Sequence, residues 1–192
     1  MIDAGIIPAP WVLAKNIQRY VQDAKITYTV TVKQDLMLRV LPYIILIIVL
    51  DQITKFLIVQ NFDLYASYQI FPFLKIIYLQ NEGAAFSFLH DAGGWQRYFL
   101  ILVSVIAVCI LPYLIKKNLS NRIVSFALMF ILAGAFGNLV DRVLFGYVID
   151  FIYFHYQQYY WPAFNVADAA ISFGVFLLFL DIYQGWREQK KH

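Results

Sequence analysis

The sequence predicts a membrane all-α protein: a bundle of four transmembrane helices with a small extracytoplasmic β element and both termini in the cytoplasm. Three observations predict it. Of the 192 residues, 61% are hydrophobic and only 14% charged, with a mean hydropathy of +0.65. A soluble domain carries about 45–50% apolar and about 25% charged residues. Four windows also reach the roughly 20 mostly apolar residues that a span requires. Finally, Lys and Arg alternate in abundance between the connecting loops, the pattern that sets membrane orientation.

The first 35 residues form an extension with no assigned function. They lack the apolar core of a secretory signal peptide. Leu13, Ile17, Tyr20, Val21 and Ala24 follow helical spacing and predict a short amphipathic helix on the cytoplasmic face. Ile-Thr-Tyr-Thr-Val-Thr-Val over 26–32 alternates as a strand does. Residues 36–186 form the membrane domain, and 187–192 a basic cytoplasmic tail.

The first span runs from about Arg39 to Gln60. An outer segment follows, about Asn61 to Gly94. Within it Phe-Pro-Phe-Leu-Lys-Ile-Ile-Tyr-Leu-Gln (71–80) is rich in aromatic and β-branched residues. Asn-Glu-Gly then signals a turn before Ala-Ala-Phe-Ser-Phe-Leu (84–89), and the stretch reads as a small hairpin or sheet. The second span extends from about Trp95 to Ile115, against Lys116 and Lys117. The third runs from about Arg122 to Asp141, and the fourth from about Asn165 to Gln184. Between the last two, Arg142–Phe164 carries Phe145, Tyr147, Phe151, Tyr153, Phe154, Tyr156, Tyr159, Tyr160 and Trp161. Such rings gather at the membrane–water interface. Eleven Lys and Arg fall before the first span, between the second and third, or after the fourth; Lys75, Arg97 and Arg142 fall on the other side. The aromatic loops therefore face outward.

Charge near hydrocarbon is the functional signal. A carboxylate at the centre of a span costs about 2.5–3.5 kcal/mol on insertion scales, so an intramembrane Asp is a candidate site. Asp51 and Lys55 lie in the outer half of the first span. Asn138, Asp141 and Arg142 close the outer end of the third, and Asn165 and Asp168 open the fourth. Asp150 sits in the loop between. Four sequence regions thus deliver polar groups to one depth at one face.

Each residue also has a plain structural reading. Asp51 and Lys55, four apart on one helix face, form an ion pair whether or not they brace a site. Arg142 either snorkels to headgroups or offers its donor fork to carbonyl oxygens. Asp141 reads as its local partner. Asn165 with Asp168 at the third helical position is a good helix start. Gly134 and Gly137 allow close helix packing. Asp181 reads as interfacial. Asp150, between Ile149 and Phe151, has no such explanation.

Five stretches taken together carry a family resemblance: Asp-Gln-Ile-Thr-Lys (51–55), Asn-Glu-Gly-Ala-Ala-Phe-Ser (81–87), Ala-Gly-Ala-Phe-Gly-Asn-Leu-Val-Asp-Arg (133–142), Gly-Tyr-Val-Ile-Asp-Phe-Ile (146–152) and Phe-Asn-Val-Ala-Asp (164–168). In order and spacing they resemble the motifs of the bacterial lipoprotein signal peptidases, over about Leu36 to the C-terminus. Ala133 stands where the family often has Gly. The resemblance implies an intramembrane aspartyl endopeptidase in the bacterial inner membrane, with Asp150 and Asp168 as the catalytic pair at the extracytoplasmic face. Its substrates would be prolipoproteins cut on the N-terminal side of a diacylglyceryl-modified cysteine. Asn138, Arg142 and Asn165 would hold substrate and dyad, Asn81 would belong to an outer cradle, and Asp51 with Lys55 would brace it.

Paired carboxylates suit that reaction, because one can keep a proton while the other accepts one. A transporter or a lipid-binding assembly protein is the alternative use of the same polar cluster. The chain shows no inverted repeat, no His-Glu-x-x-His zinc motif and no Gly-x-Ser-x-Gly elbow. No cofactor, metal or nucleic acid is expected, Cys109 stands alone, and no heptad or charged interface requires a partner subunit. The expected partners are lipidated precursors and membrane lipid, and the chain is expected to be monomeric.

Overall fold

The computed structural model describes residues 10–83 and 95–190. The chain divides into two compact units, Met1–Arg39 and Val40–His192. Helix α1 spans Pro10–Asn61 and includes 26–32. The alternation there does not make a strand. A lone strand leaves its N–H and C=O groups unpaired, whereas a helix satisfies them within the segment.

The second unit holds the four membrane-capable segments: Val40–Asn61 of α1, α2 (Trp95–Lys117), α3 (Arg122–Leu144) and α4 (Val166–Gln189). These match the predicted spans to within a few residues at each end. Half of the apolar window of α3 is buried, against 17%, 11% and 17% for the others. Helix α3 is therefore the central helix, packed on α4 and α2, and the other three leave most of their apolar windows unburied.

Small residues let α3 and α4 approach. A Cβ added at Gly134 would lie 2.2 Å from the Ala167 carbonyl oxygen, and one at Gly174 2.5 Å from that of Ala127. Gly137 serves a different contact, since its missing Cβ makes room for the Asp51 carboxylate, 2.6 Å away. Asn121 starts α3, its side chain accepting from the Val124 N–H at 3.2 Å. Its amide also donates to Asp181 at 2.8 Å, which gives Asp181 a partner on α3.

The segments that join the helices form a four-stranded antiparallel sheet in the order β1-β2-β3-β4: Ser67–Phe71, Leu74–Asn81, Val148–Tyr156 and Tyr159–Tyr160. The run at 71–80, read as part of a small hairpin or sheet, supplies the end of β1 and most of β2. Its hairpin closes on β1 through Pro72 and Phe73, with Phe71 opposite Leu74. Residues 84–89, the rest of that predicted hairpin or sheet, lie outside the described residues. On its other edge β2 pairs with β3, so part of the aromatic loop is a strand. Rings on alternate positions suit a pleated, half-buried surface.

The β2–β3 register shifts between Ile76 and Leu79. One extra residue on β2 there places Leu79 opposite Asp150 and Asn81 opposite Val148, a bulge next to the polar site. Beneath it Ile149 and Phe151 pack with Tyr78 and with Ile58 of α1. Phe164 is tied to Ile152 by hydrogen bonds in both directions, 2.8 and 3.0 Å. The chain therefore enters α4 alongside β3, with Asn165 next to Asp150.

Candidate active site

Asp150 reaches the site from the central strand of this sheet, and Asp168 from the first turn of α4. Asn81 and Asp150 share one face of β2–β3 as diagonal neighbours, and the Asn81 amide donates to Asp150 Oδ2 at 2.8 Å. Gly83 N–H donates to Asn81 Oδ1 at 2.9 Å, which fixes the orientation of that amide.

Asn165 has two tasks. It caps α4, accepting from the Asp168 N–H at 2.9 Å while the Asp168 carboxylate accepts its backbone N–H at 3.3 Å. Its Nδ2 also donates to Asp150 Oδ1 at 2.7 Å and makes longer 3.3 Å contacts with Asn138 Oδ1 and the Ile149 carbonyl. Two hydrogens serve three acceptors, so one is shared. Asn138 Nδ2 in turn donates to Asp168 Oδ1 at 2.7 Å. Asp150, Asn165, Asn138 and Asp168 thus form a continuous line, two carboxylates bridged by two amides. Capping and site-building are one arrangement here, not alternatives.

Behind that line lies a saturated charge cluster. Lys55, 2% exposed, has three N–H donors and three acceptors: Asp51 and Asp141, both at 2.8 Å, and Asn138 Oδ1 at 3.0 Å. No donor remains for a substrate, so Lys55 braces the site by orienting Asn138. Removing it would leave two buried carboxylates without their cation, a loss of about 3–5 kcal/mol, readable as a fall in Tm of Lys55→Ala. Asp51 also accepts the Ala167 N–H at 2.8 Å, capping α4 from another helix.

Asp141 does not pair with Arg142. Adjacent residues on a helix point about 100° apart, and Asp141 turns inward to Lys55, to Gln52 Nε2 at 3.0 Å and to the Ile149 N–H at 3.2 Å. That last bond ties the central helix to the strand that carries Asp150. The Arg142 charge faces Asp168 and Asp150 as well as Asp141, and its buried Nε has no hydrogen-bond partner. Gln52 belongs to the cluster too, bridging Asp51, Asp141 and the Gly137 carbonyl. Sequence reasoning passed over it, although an amide within an apolar span carries the same signal as a charge.

Burial above all, and then the Asp168 charge, push the Asp150 carboxyl from its ordinary 3.8 up to about 7; the Asn81 and Asn165 amides and the Lys55 charge pull the other way. A carboxyl at that level gives up and takes back a proton near neutral pH. Among the described residues no three His, Cys, Asp or Glu side chains converge as a metal-binding group.

Four membrane-capable helices with two amide-linked carboxylates at one end have the parts of a membrane-embedded acid–base hydrolase. The family model described as Signal peptidase (SPase) II matches residues 43–184. The lipoprotein signal peptidase of Psychromonas ingrahamii is 48% identical over 139 residues, covering 72% of this chain and 80% of that relative. That of Alteromonas mediterranea is 46% identical over 137 residues, covering 71% and 75%. A bacterial membrane enzyme solved by the in meso method at 2.3 Å resolution superposes with a TM-score of 0.72 at 29% identity, covering 80% of this chain and 93% of its own. A second, solved by the same method at 1.9 Å, gives 0.67 at 31% identity, covering 75% and 92%. The chain belongs to the signal peptidase II family. That membership decides against the transporter and assembly-protein alternatives.

Proposed function

We propose that the chain is an intramembrane aspartyl endopeptidase that removes signal peptides from prolipoproteins, cutting on the N-terminal side of a diacylglyceryl-modified cysteine with Asp150 and Asp168 as catalytic pair. The observation that carries this reading is the Asp150–Asn165–Asn138–Asp168 line, which holds two carboxylates from different elements in one network.

The pair works with one proton and titrates as a unit. A water between the carboxylates gives a proton to the ionised member as its oxygen attacks the scissile carbonyl carbon. The protonated member donates to the carbonyl oxygen, forming a neutral gem-diol. Collapse then breaks the C–N bond. The proton taken from water passes to the departing amine of the lipidated cysteine, and the diol's second hydroxyl returns its proton to the pair. Asn138 and Asn165 hold the carboxylates apart and oriented, Asn81 orients Asp150, and the unpaired Arg142 Nε is a donor for a substrate carbonyl. Asp51, Lys55 and Asp141 fix the scaffold behind them.

The Lys and Arg distribution supports cytoplasmic termini and an outward-facing site in the inner membrane, with a monomeric chain acting on substrates anchored in the same bilayer. The test is purified protein on paired precursors. Cleavage of the diacylglyceryl-modified form alone, unaffected by a metal chelator, is expected; equal cleavage of the unlipidated form, or loss of activity restored by zinc, contradicts the proposal.

A further inference from the structure

Beside Glu82 lies a cavity of about 580 Å³ walled by Gln96 and Arg97 together with Trp95, Phe145 and Tyr147, and neither carboxylate of the pair lines it. By contrast, a groove of about 450 Å³ opens beside Asp168, lined by Phe154, Trp161, Phe164, Ala169 and Ser172. Its aromatic wall is built rather than incidental. Phe154 and Phe164 stack at 5.9 Å, and the Trp161 N–H donates to the Phe154 carbonyl at 2.9 Å. Small, exposed Ala169 and Ser172 form its floor, and Asp168 is the one ionisable group lining it.

The groove does not end in water. Ser172, Phe176 and Phe179 follow at i, i+4 and i+7 on α4, all exposed. They make a stripe down the lipid-facing side of the helix. From Asp168 to Phe179 is about 16 Å at 1.5 Å per residue, about half the 30 Å thickness of the hydrocarbon core. An acyl chain of an outer-leaflet lipid spans that depth.

We propose that this groove seats an acyl chain of the substrate's diacylglyceryl group, so that the lipid leaves the scissile bond on the Asp168 side. The inference rests on the peptidase reading above and adds to it where the lipid is recognised. Cleavage immediately N-terminal to the lipidated cysteine places the modified side chain next to the reacting carbonyl. The lipid therefore needs an apolar exit within a residue's length of the dyad. The groove provides one, lined by Asp168 itself, whereas neither carboxylate of the pair lines the cavity beside Glu82.

The experiment uses the purified full chain and two synthetic precursors, whose cysteine carries either dipalmitoylglyceryl or dibutyrylglyceryl. Ser172→Trp fills the groove and is expected to lower kcat/KM on the long-chain precursor by about tenfold, the contact of roughly two buried methylenes. The loss falls in KM, with the short-chain precursor cut at the wild-type rate. Ile182→Trp, elsewhere on the lipid-facing side of α4, is expected to change neither. An equal fall on both precursors, or none on either, overturns the proposal. Should Ser172→Trp not fold, Trp161→Ala opens the groove from the other wall and is expected to weaken wild-type preference for the long chain; an intact preference overturns the proposal. Wild-type protein that cuts neither precursor overturns the peptidase reading itself, and the groove's role with it.

Discussion

At the scale of single residues, the structure separates carboxylates that look alike in the sequence. Asp51 and Asp141 are consumed by Lys55 and Gln52, whereas Asp150 and Asp168 receive only amide and backbone donors. The sequence shows that these residues share a depth, because helix rise converts position into height. It does not show which way Asp141 turns, since its partners come from α1 and β3, far away along the chain. Asp150 also carries the clearest pH prediction. Its folded value is about 7 against an ordinary 3.8, so the folded protein holds this proton more tightly than the unfolded chain. The resulting stability is complete below about pH 4 and is lost as pH rises through about 7. The Tm of Asp150→Asn, relative to wild type, should therefore rise from pH 4 to about 7 and level off above it. A difference that does not vary with pH would contradict this. Wild-type cleavage should likewise fall as pH rises through about 7, as the pair loses its last proton.

At the scale of elements, the spans were legible and the sheet only partly so. Hydrocarbon imposes length and composition on a crossing helix, and nothing comparable marks the partner of a strand. The run at 71–80 announced β2, but pairing with β3 depends on a one-residue bulge and on Phe164 clamping Ile152, which periodicity does not encode. The alternation at 26–32 is a strand pattern without a strand to pair with among the described residues, and as part of α1 its backbone groups pair within the segment. Helix packing gives a sharper expectation. The Gly134 Cα sits against the Ala167 carbonyl, one residue before Asp168. Gly134→Ala must push the start of α4 away, and a shift of about 1 Å at the dyad costs about 10²-fold in rate. The check is kcat alongside Tm: a variant that melts near wild type yet has lost most of its kcat is expected, and unchanged kcat would show that α4 yields without moving Asp168.

At the scale of the whole molecule, the buried charge cluster and the two amide-bridged carboxylates gather at one end of the helices of the second unit, against the sheet. Composition alone predicted the membrane class, and helix rise predicted that the polar groups of four sequence regions gather at one depth. Orientation rests on the Lys and Arg count. Reporters fused at both termini should be active only as cytoplasmic fusions, and a reporter inserted in the aromatic loop after Tyr156 only as an external one; the reverse pattern would place the site inside. The central claim is that Asp150 and Asp168 act as one catalytic unit, and one measurement tests it most directly. Purified Asp150→Asn, Asp168→Asn and wild-type protein are given the same diacylglyceryl-modified prolipoprotein, with folding checked by melting. Each substitution should slow cleavage by at least about 10²–10⁴-fold, the range a positioned acid or base contributes, while the fold persists. Near-wild-type cleavage by either folded variant would contradict the account.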